Sequence, residues 1–135
     1  MIKGIAHLAF RVTDMDDAVR FYETVFGFKK IFTLDDEQGH PWLVYLKVAD
    51  RQFIELFHAE KPLRLQPEIT AYQHLCIEVT DMDAFTRHLD DLGMTPDQPV
   101  IRGLDHNLQC WIKDPDGNPI EIMAYGPDAL QLRYQ

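Results

Sequence analysis

His74-Leu75-Cys76-Ile77-Glu78-Val79-Thr80-Asp81-Met82-Asp83 is the second appearance of a pattern that the chain has already used. Sixty-seven residues earlier stands His7-Leu8-Ala9-Phe10-Arg11-Val12-Thr13-Asp14-Met15-Asp16, with His, Leu, Val, Thr, Asp, Met and Asp at matching positions. A second echo closes each half. Asp50-Arg51-Gln52-Phe53-Ile54-Glu55-Leu56 answers Asp116-Gly117-Asn118-Pro119-Ile120-Glu121-Ile122 at an offset of 66. Self-similarity at a fixed period sets the architecture before any local propensity does. It predicts one domain over residues 1–135 built from two repeats, 1–66 and 69–126.

Working outward from the echo, Leu8, Phe10 and Val12 alternate with His7, Ala9 and Arg11, the period of a half-buried strand. Asp14 then caps a helix carrying Met15, Ala18, Val19, Tyr22, Val25 and Phe26 at helical spacing, and Gly27 stops it. Strands are expected around 29–34, 42–48 and 53–58, so the first half reads βαβββ. Residues 59–72, with Pro62 and Pro67 and no clear period, read as a linker or arm, in which Lys61 to Arg64 either close over a ligand or simply connect. The second half repeats the plan. A strand from His74 to Val79 precedes a helix capped by Asp81 and ended by Gly93, and strands follow around 100–102, 108–112 and 120–125. The expected fold class is α+β: two βαβββ modules, each curling a mixed sheet whose concave face carries the polar alternate residues. The tail from Gly126 is expected to form a short helix or to fray.

A net charge of −9 argues against nucleic acid or an anionic membrane as the main partner, because phosphate repels it. A local basic pocket would still suit an anionic small molecule. Hydrophobic content of 46% and charged content of 26% place the chain among ordinary soluble globules. The apolar run in residues 1–10 is broken by Gly4 and His7, too short for a signal core or a membrane span, so a cytoplasmic location is expected. Cys76 and Cys110 sit in strand-like contexts and read as small hydrophobes rather than a disulfide framework.

Parity carries the functional reading. His7 shares a face with Arg11, His74 with Glu78, Glu55 with Phe53 and Phe57, and Glu121 with Met123 and Tyr125. Taken singly, each histidine reads as a hydrogen-bonded imidazole and each glutamate as a solvated strand residue. Two of each at matching repeat positions point instead to a metal set, His7, Glu55, His74 and Glu121. Imidazole nitrogen with carboxylate oxygen suits a borderline divalent ion such as Zn, Ni, Co, Fe or Mn. Two remaining positions would take water or substrate, and a carboxylate beside them would move a proton.

With these residues the chain resembles the vicinal oxygen chelate superfamily, which includes glyoxalase I, methylmalonyl-CoA epimerase, extradiol dioxygenases and bleomycin- and fosfomycin-resistance proteins. The resemblance runs over essentially the whole chain and is most specific at Asp114 to Ile122. His7, Glu55, His74 and Glu121 match the ligand positions of the short bacterial glyoxalase I enzymes, the lactoylglutathione lyases. Extradiol dioxygenases lack the first-module glutamate, and the epimerases carry glutamine there.

The resemblance implies a lyase or isomerase that moves a proton on a metal-chelated hemithioacetal through an enediolate. Glu121 would be the principal base, with Glu55 able to share the work. It implies nickel or cobalt ahead of zinc, and a homodimer. Arg11 matches an arginine that holds the glutathione part of the substrate; an ion pair with Glu78 is its alternative. Arg102 is the one loop candidate for a substrate carboxylate, and His106 is a further substrate-contact candidate. The chain departs from the lyase pattern at Ala59, where asparagine is usual. Another metalloenzyme of the superfamily (an epimerase, an extradiol dioxygenase or a thiol transferase) stays open, as does a metal-free drug-binding resistance protein.

Overall fold

The computed structural model describes residues 3–62 and 71–134. The chain divides into two compact units, Met1–Arg64 and Leu65–Gln135. The first holds β1 (His7–Val12), α1 (Met15–Phe26), β2 (Lys29–Asp35), β3 (Pro41–Ala49) and β4 (Gln52–His58). The second holds β5 (Leu75–Glu78), α2 (Met82–Asp91), β6 (Gln98–Arg102), β7 (Leu108–Lys113), β8 (Pro119–Ala124) and a terminal 3-10 turn (Gln131–Tyr134). The order βαβββ appears in both units, as the repeat predicts.

Each unit has its own four-stranded sheet, in the order β1-β4-β3-β2 and β5-β8-β7-β6. In both, the opening strand runs parallel to the closing one and the remaining pairs are antiparallel, so the sheets are mixed. The expectation of curled sheets is corrected here. Both sheets are open, their outer strands not hydrogen-bonded to each other, and neither curls or closes. Closing a sheet needs about eight strands with matched tilt and stagger, and four cannot bring the two edges together. Alternation in the sequence tells which side chains share a face, and that pattern is identical in a flat and in a curved sheet.

The helices begin and end as their sequences dictate. Asp14 accepts a bond from the Asp17 amide at 2.9 Å and Asp81 one from the Ala84 amide at 2.9 Å, each satisfying an otherwise orphaned helix donor. Gly27 takes the left-handed conformation that stops α1. α1 packs on β4 and β2 through Met15, Ala18, Tyr22 and Val25, over the buried Ile54 and Leu56. In the second unit Leu89 of α2 and Cys110, Ile112, Ile120 and Ile122 of the sheet form the core, with Cys110 Sγ 3.8 Å from Met82 Sδ. These buried residues are the alternates of the polar ones, so the other sheet face is left to His7, Glu55, Glu121 and their neighbours.

Several strand boundaries differ by a residue or two from the sequence expectation, two of them with consequence. β6 starts at Gln98 and includes Pro99, which an edge strand tolerates because the missing N–H faces no partner. β5 starts at Leu75, leaving His74 immediately before the strand. The expected linker at 59–72 falls mostly on 63–70, outside the described residues. No helix among the described residues is long and apolar enough to cross a membrane.

Candidate functional site

In the first unit the parallel pairing of β1 with β4 sets His7 opposite Phe53 and Ala9 opposite Glu55. His7 and Glu55 therefore lie on one face in adjacent rows, with Nε2 and Oε2 3.6 Å apart. Glu55 is buried, and its other oxygen, Oε1, accepts a hydrogen bond from the Tyr45 hydroxyl. Tyr45 reaches it because the β3–β4 hairpin places the two residues directly opposite. That bond, then burial and the Glu55 charge, hold the Tyr45 phenol above its ordinary pKa, since ionising it would set two anions together. Phe32 packs on Tyr45 with ring centroids 4.5 Å apart.

The second unit repeats the arrangement with different neighbours. Cys76 lies opposite Glu121, and His74 Nε2 is 3.1 Å from Glu121 Oε2. Trp111 occupies the place of Tyr45, directly opposite the glutamate. Its ring meets His74 edge-on at 4.8 Å. Partial burial, followed by the charge and hydrogen bonding of Glu121, pushes the Cys76 thiol up to about 12.

The four sequence-predicted ligands thus come as two His–Glu pairs, one in each unit. Among the described residues no group of three or more His, Cys, Asp or Glu is brought together as a metal set. Each pair does fit half of one. Neighbouring donors about 2.1 Å from a divalent ion lie roughly 3 Å apart, and the pairs span 3.1 and 3.6 Å. Both offer imidazole Nε2 with a carboxylate oxygen, the borderline-hard chemistry that Zn, Ni or Co accepts.

The two arginines fare differently. Arg11 is exposed on the His7 face and makes no ion pair among the described residues. Arg102 is engaged by Asp128, with one guanidinium nitrogen 2.6 and 2.7 Å from the two carboxylate oxygens. The same carboxylate lies 3.1 Å from His106 Nδ1. Buried Asn107 donates to Asp105 and Gln131 and accepts from the Gly126 amide, so the β6–β7 loop is fastened to the tail. Arg102 and His106 are therefore members of a clasp.

Tyr45 and Trp111 are the cross-strand neighbours of the two glutamates. A signal for both existed. Each stands as far before its hairpin turn as the glutamate stands after it.

A profile of the Glyoxalase/Bleomycin resistance protein/Dioxygenase superfamily matches residues 4–122. The metallothiol transferase FosB of Bacillus licheniformis is 29% identical over 129 residues, covering 90% of this chain and 75% of that protein. The lactoylglutathione lyase of Haemophilus influenzae is 27% identical over 124 residues, covering 88% of this chain and 90% of that one. Among solved structures, a glyoxylase/bleomycin resistance protein/dioxygenase domain from Frankia sp. EAN1pec superposes with a TM-score of 0.79. It covers 99% of this chain and 100% of that one at 16% identity, which speaks for the fold alone.

Proposed function

The chain belongs to the Glyoxalase/Bleomycin resistance protein/Dioxygenase superfamily, and from that premise we propose that it is a metal-dependent isomerase of the lactoylglutathione lyase type. The observation that carries this reading is the pair of matching His–Glu couples, His7–Glu55 and His74–Glu121, at equivalent positions of the two units. The two couples would supply imidazole nitrogen and carboxylate oxygen to a divalent ion, nickel or cobalt ahead of zinc. When bound, the ion supplies Lewis-acid stabilisation of negative charge on two adjacent substrate oxygens.

The protein's own residues do the rest. Each histidine turns its Nε2 toward the carboxylate of its own couple. Tyr45 engages Oε1 of Glu55 and leaves Oε2 on the His7 side, which suits Glu55 to the role of ligand. Among the described residues the Glu121 carboxylate has the weak thiol donor of Cys76 and the His74 imidazole beside it, and it is the less enclosed of the two carboxylates. Glu121 takes the proton from the carbon bearing sulfur, and a carboxylate returns it to the neighbouring carbon. Arg11, exposed and unpaired among the described residues, holds the anionic part of the substrate. The active species is a cytoplasmic homodimer.

The test is isomerisation of the methylglyoxal–glutathione hemithioacetal by metal-stripped protein, before and after addition of nickel, cobalt or zinc. Turnover that appears only with metal, at one ion per four ligands, is the expected result. No turnover with metal demonstrably bound would remove glutathione as co-substrate. A second reading, metal-dependent thiol transfer to a different acceptor, is favoured by the similarity to the metallothiol transferase FosB. It predicts consumption of free thiol rather than isomerisation.

A further inference from the structure

The first unit carries a cleft of about 630 Å³ at the β3–β4 turn and the chain leading into β1, lined among others by Lys3, Ile5, Lys47, Asp50, Arg51 and Phe53. We propose that this cleft is a binding site for the anionic head of a small organic ligand, a carboxylate or a phosphate on an apolar stem.

Charge is the first argument. In a chain of net charge −9, three cations converge on one cleft against a single lining carboxylate. The ion pairs that lysine and arginine make among the described residues are Arg20–Asp17, Arg102–Asp128 and Lys113–Asp97. Lys3, Lys47 and Arg51 are in none of them, and Asp50 is not within ion-pair distance of any of the three.

The repeat supplies the second argument. Lys47 and Lys113 are equivalent, each standing just outside the aromatic residue that faces the unit's glutamate. Lys113 is neutralised by Asp97 at 3.0 Å. Lys47 instead lies directly opposite Lys29 on β2, and like charges facing each other across two strands repel. A ligand anion beside Lys47 would offset part of that repulsion.

Backbone conformation is the third. Arg51 holds φ at +60°, in the left-handed region where an L side chain is disfavoured. The equivalent residue of the second unit is Gly117, at φ +81°. The same turn is thus made by glycine in one unit and by arginine in the other. Arginine there carries backbone strain that glycine avoids, and its side chain lines the cleft.

Position and walls define the ligand. Phe53, which lines the cleft, is the strand neighbour of both His7 and Lys47, so one wall of the cleft lies in the same row as His7. Ile5 and Phe53 give it apolar walls, while the cations offer charge-assisted hydrogen bonds. The volume suits a molecule of substrate size. Cations and walls are in place without any metal, so the site stands apart from the metal reading.

The experiment uses full-length, metal-stripped protein titrated with phenyl phosphate, phenylacetate and the neutral benzyl alcohol, followed by backbone amide NMR and calorimetry. At least one anion saturates and shifts the amides of Lys47 and of Arg51 to Phe53, and the tighter of the two identifies the head group. Lys47→Gln and Arg51→Gly, combined, weaken it by about tenfold or more, the effect of losing two charge-assisted contacts. Arg51→Gly takes the backbone that Gly117 already shows, so loss of binding with a melting curve that is not lowered separates ligand contact from misfolding. Three results each overturn the proposal: no saturation by either anion at millimolar concentration, undiminished binding in the double variant, or equally tight binding of benzyl alcohol.

Discussion

The first unit and the second are built on one plan and differ in what surrounds the shared His–Glu pair. Glu55 is buried and bonded by Tyr45, with unneutralised Lys47 one row away and Arg51 in the turn. Glu121 faces Trp111, while Lys113 is neutralised by Asp97 and the turn is glycine. The repeated part is the scaffold and its donors. The part that has diverged is the ring of neighbours that decides what each carboxylate does. Under the proposed function, this contrast would give holding and anion recognition to the first unit and proton movement to the second.

The sharpest way to break that division is to neutralise each glutamate in turn. Glu121→Gln is expected to lower kcat by about 10²–10⁴, the usual contribution of a positioned general base. Glu55→Gln is expected to act mainly on metal affinity, with much of kcat recovered at saturating metal. Steady-state kinetics across a metal titration checks both. Equal loss of kcat in the two variants at saturating metal would mean that the carboxylates share the proton work and that the Tyr45–Trp111 difference is without catalytic consequence.

A smaller effect sharpens the contrast between the two turns. A Cβ built on Gly117 meets nothing within 4 Å, so Gly117→Ala suffers only from the left-handed backbone. The expected loss is about 1 kcal/mol. Arg51→Gly relieves the same strain but adds disorder to the unfolded chain, and the balance is neutral to about 1 kcal/mol stabilising. Urea unfolding of the two variants measures this directly. A clear loss of stability in Arg51→Gly would show that the arginine is anchored in the fold, and would weaken the case that it faces a ligand.

The comparison also explains what the sequence makes legible. Element order, both helix caps and the membership of the two His–Glu pairs follow from local pattern repeated at a fixed offset, and repetition suppresses chance. Sheet shape does not follow, because alternation is the same whether four strands lie open or curl. The pairing of Arg102 with Asp128 is also invisible. It joins residues 26 apart through a tail that has no counterpart in the first half. Tyr45 lay within reach, since counting outward from the Asp50 turn sets it against Glu55. The eye follows apolar alternation, and a tyrosine among Leu43, Val44 and Leu46 reads as core. Lys47 is the same lesson in charge: its repeat partner Lys113 looks identical in sequence, and only the strand register sets one against Lys29 and the other near Asp97.

The smallest expected effect tests whether Glu121 carries its charge as the proposed base must. Cys76 is exposed as a residue, so access alone would make it the first thiol to react, ahead of buried Cys110. Yet partial burial and the adjacent Glu121 carboxylate push its thiol up to about 12. The thiolate is the nucleophile, and it forms only as pH rises toward that value. In metal-free protein at pH 8, alkylation of Cys76 is therefore expected to be at least about tenfold slower than that of an ordinary free cysteine with pKa near 8.5. Removing the neighbouring charge with Glu121→Gln lowers the cost of forming the thiolate, and the rate rises several-fold. Glu55→Gln, in the unit where Ala9 stands in the place of Cys76, leaves the rate unchanged. Mass-spectrometric timing of alkylation distinguishes the variants. If Glu121→Gln reacts no faster than the parent, burial alone governs the thiol, and the charge of Glu121 is not felt one strand away.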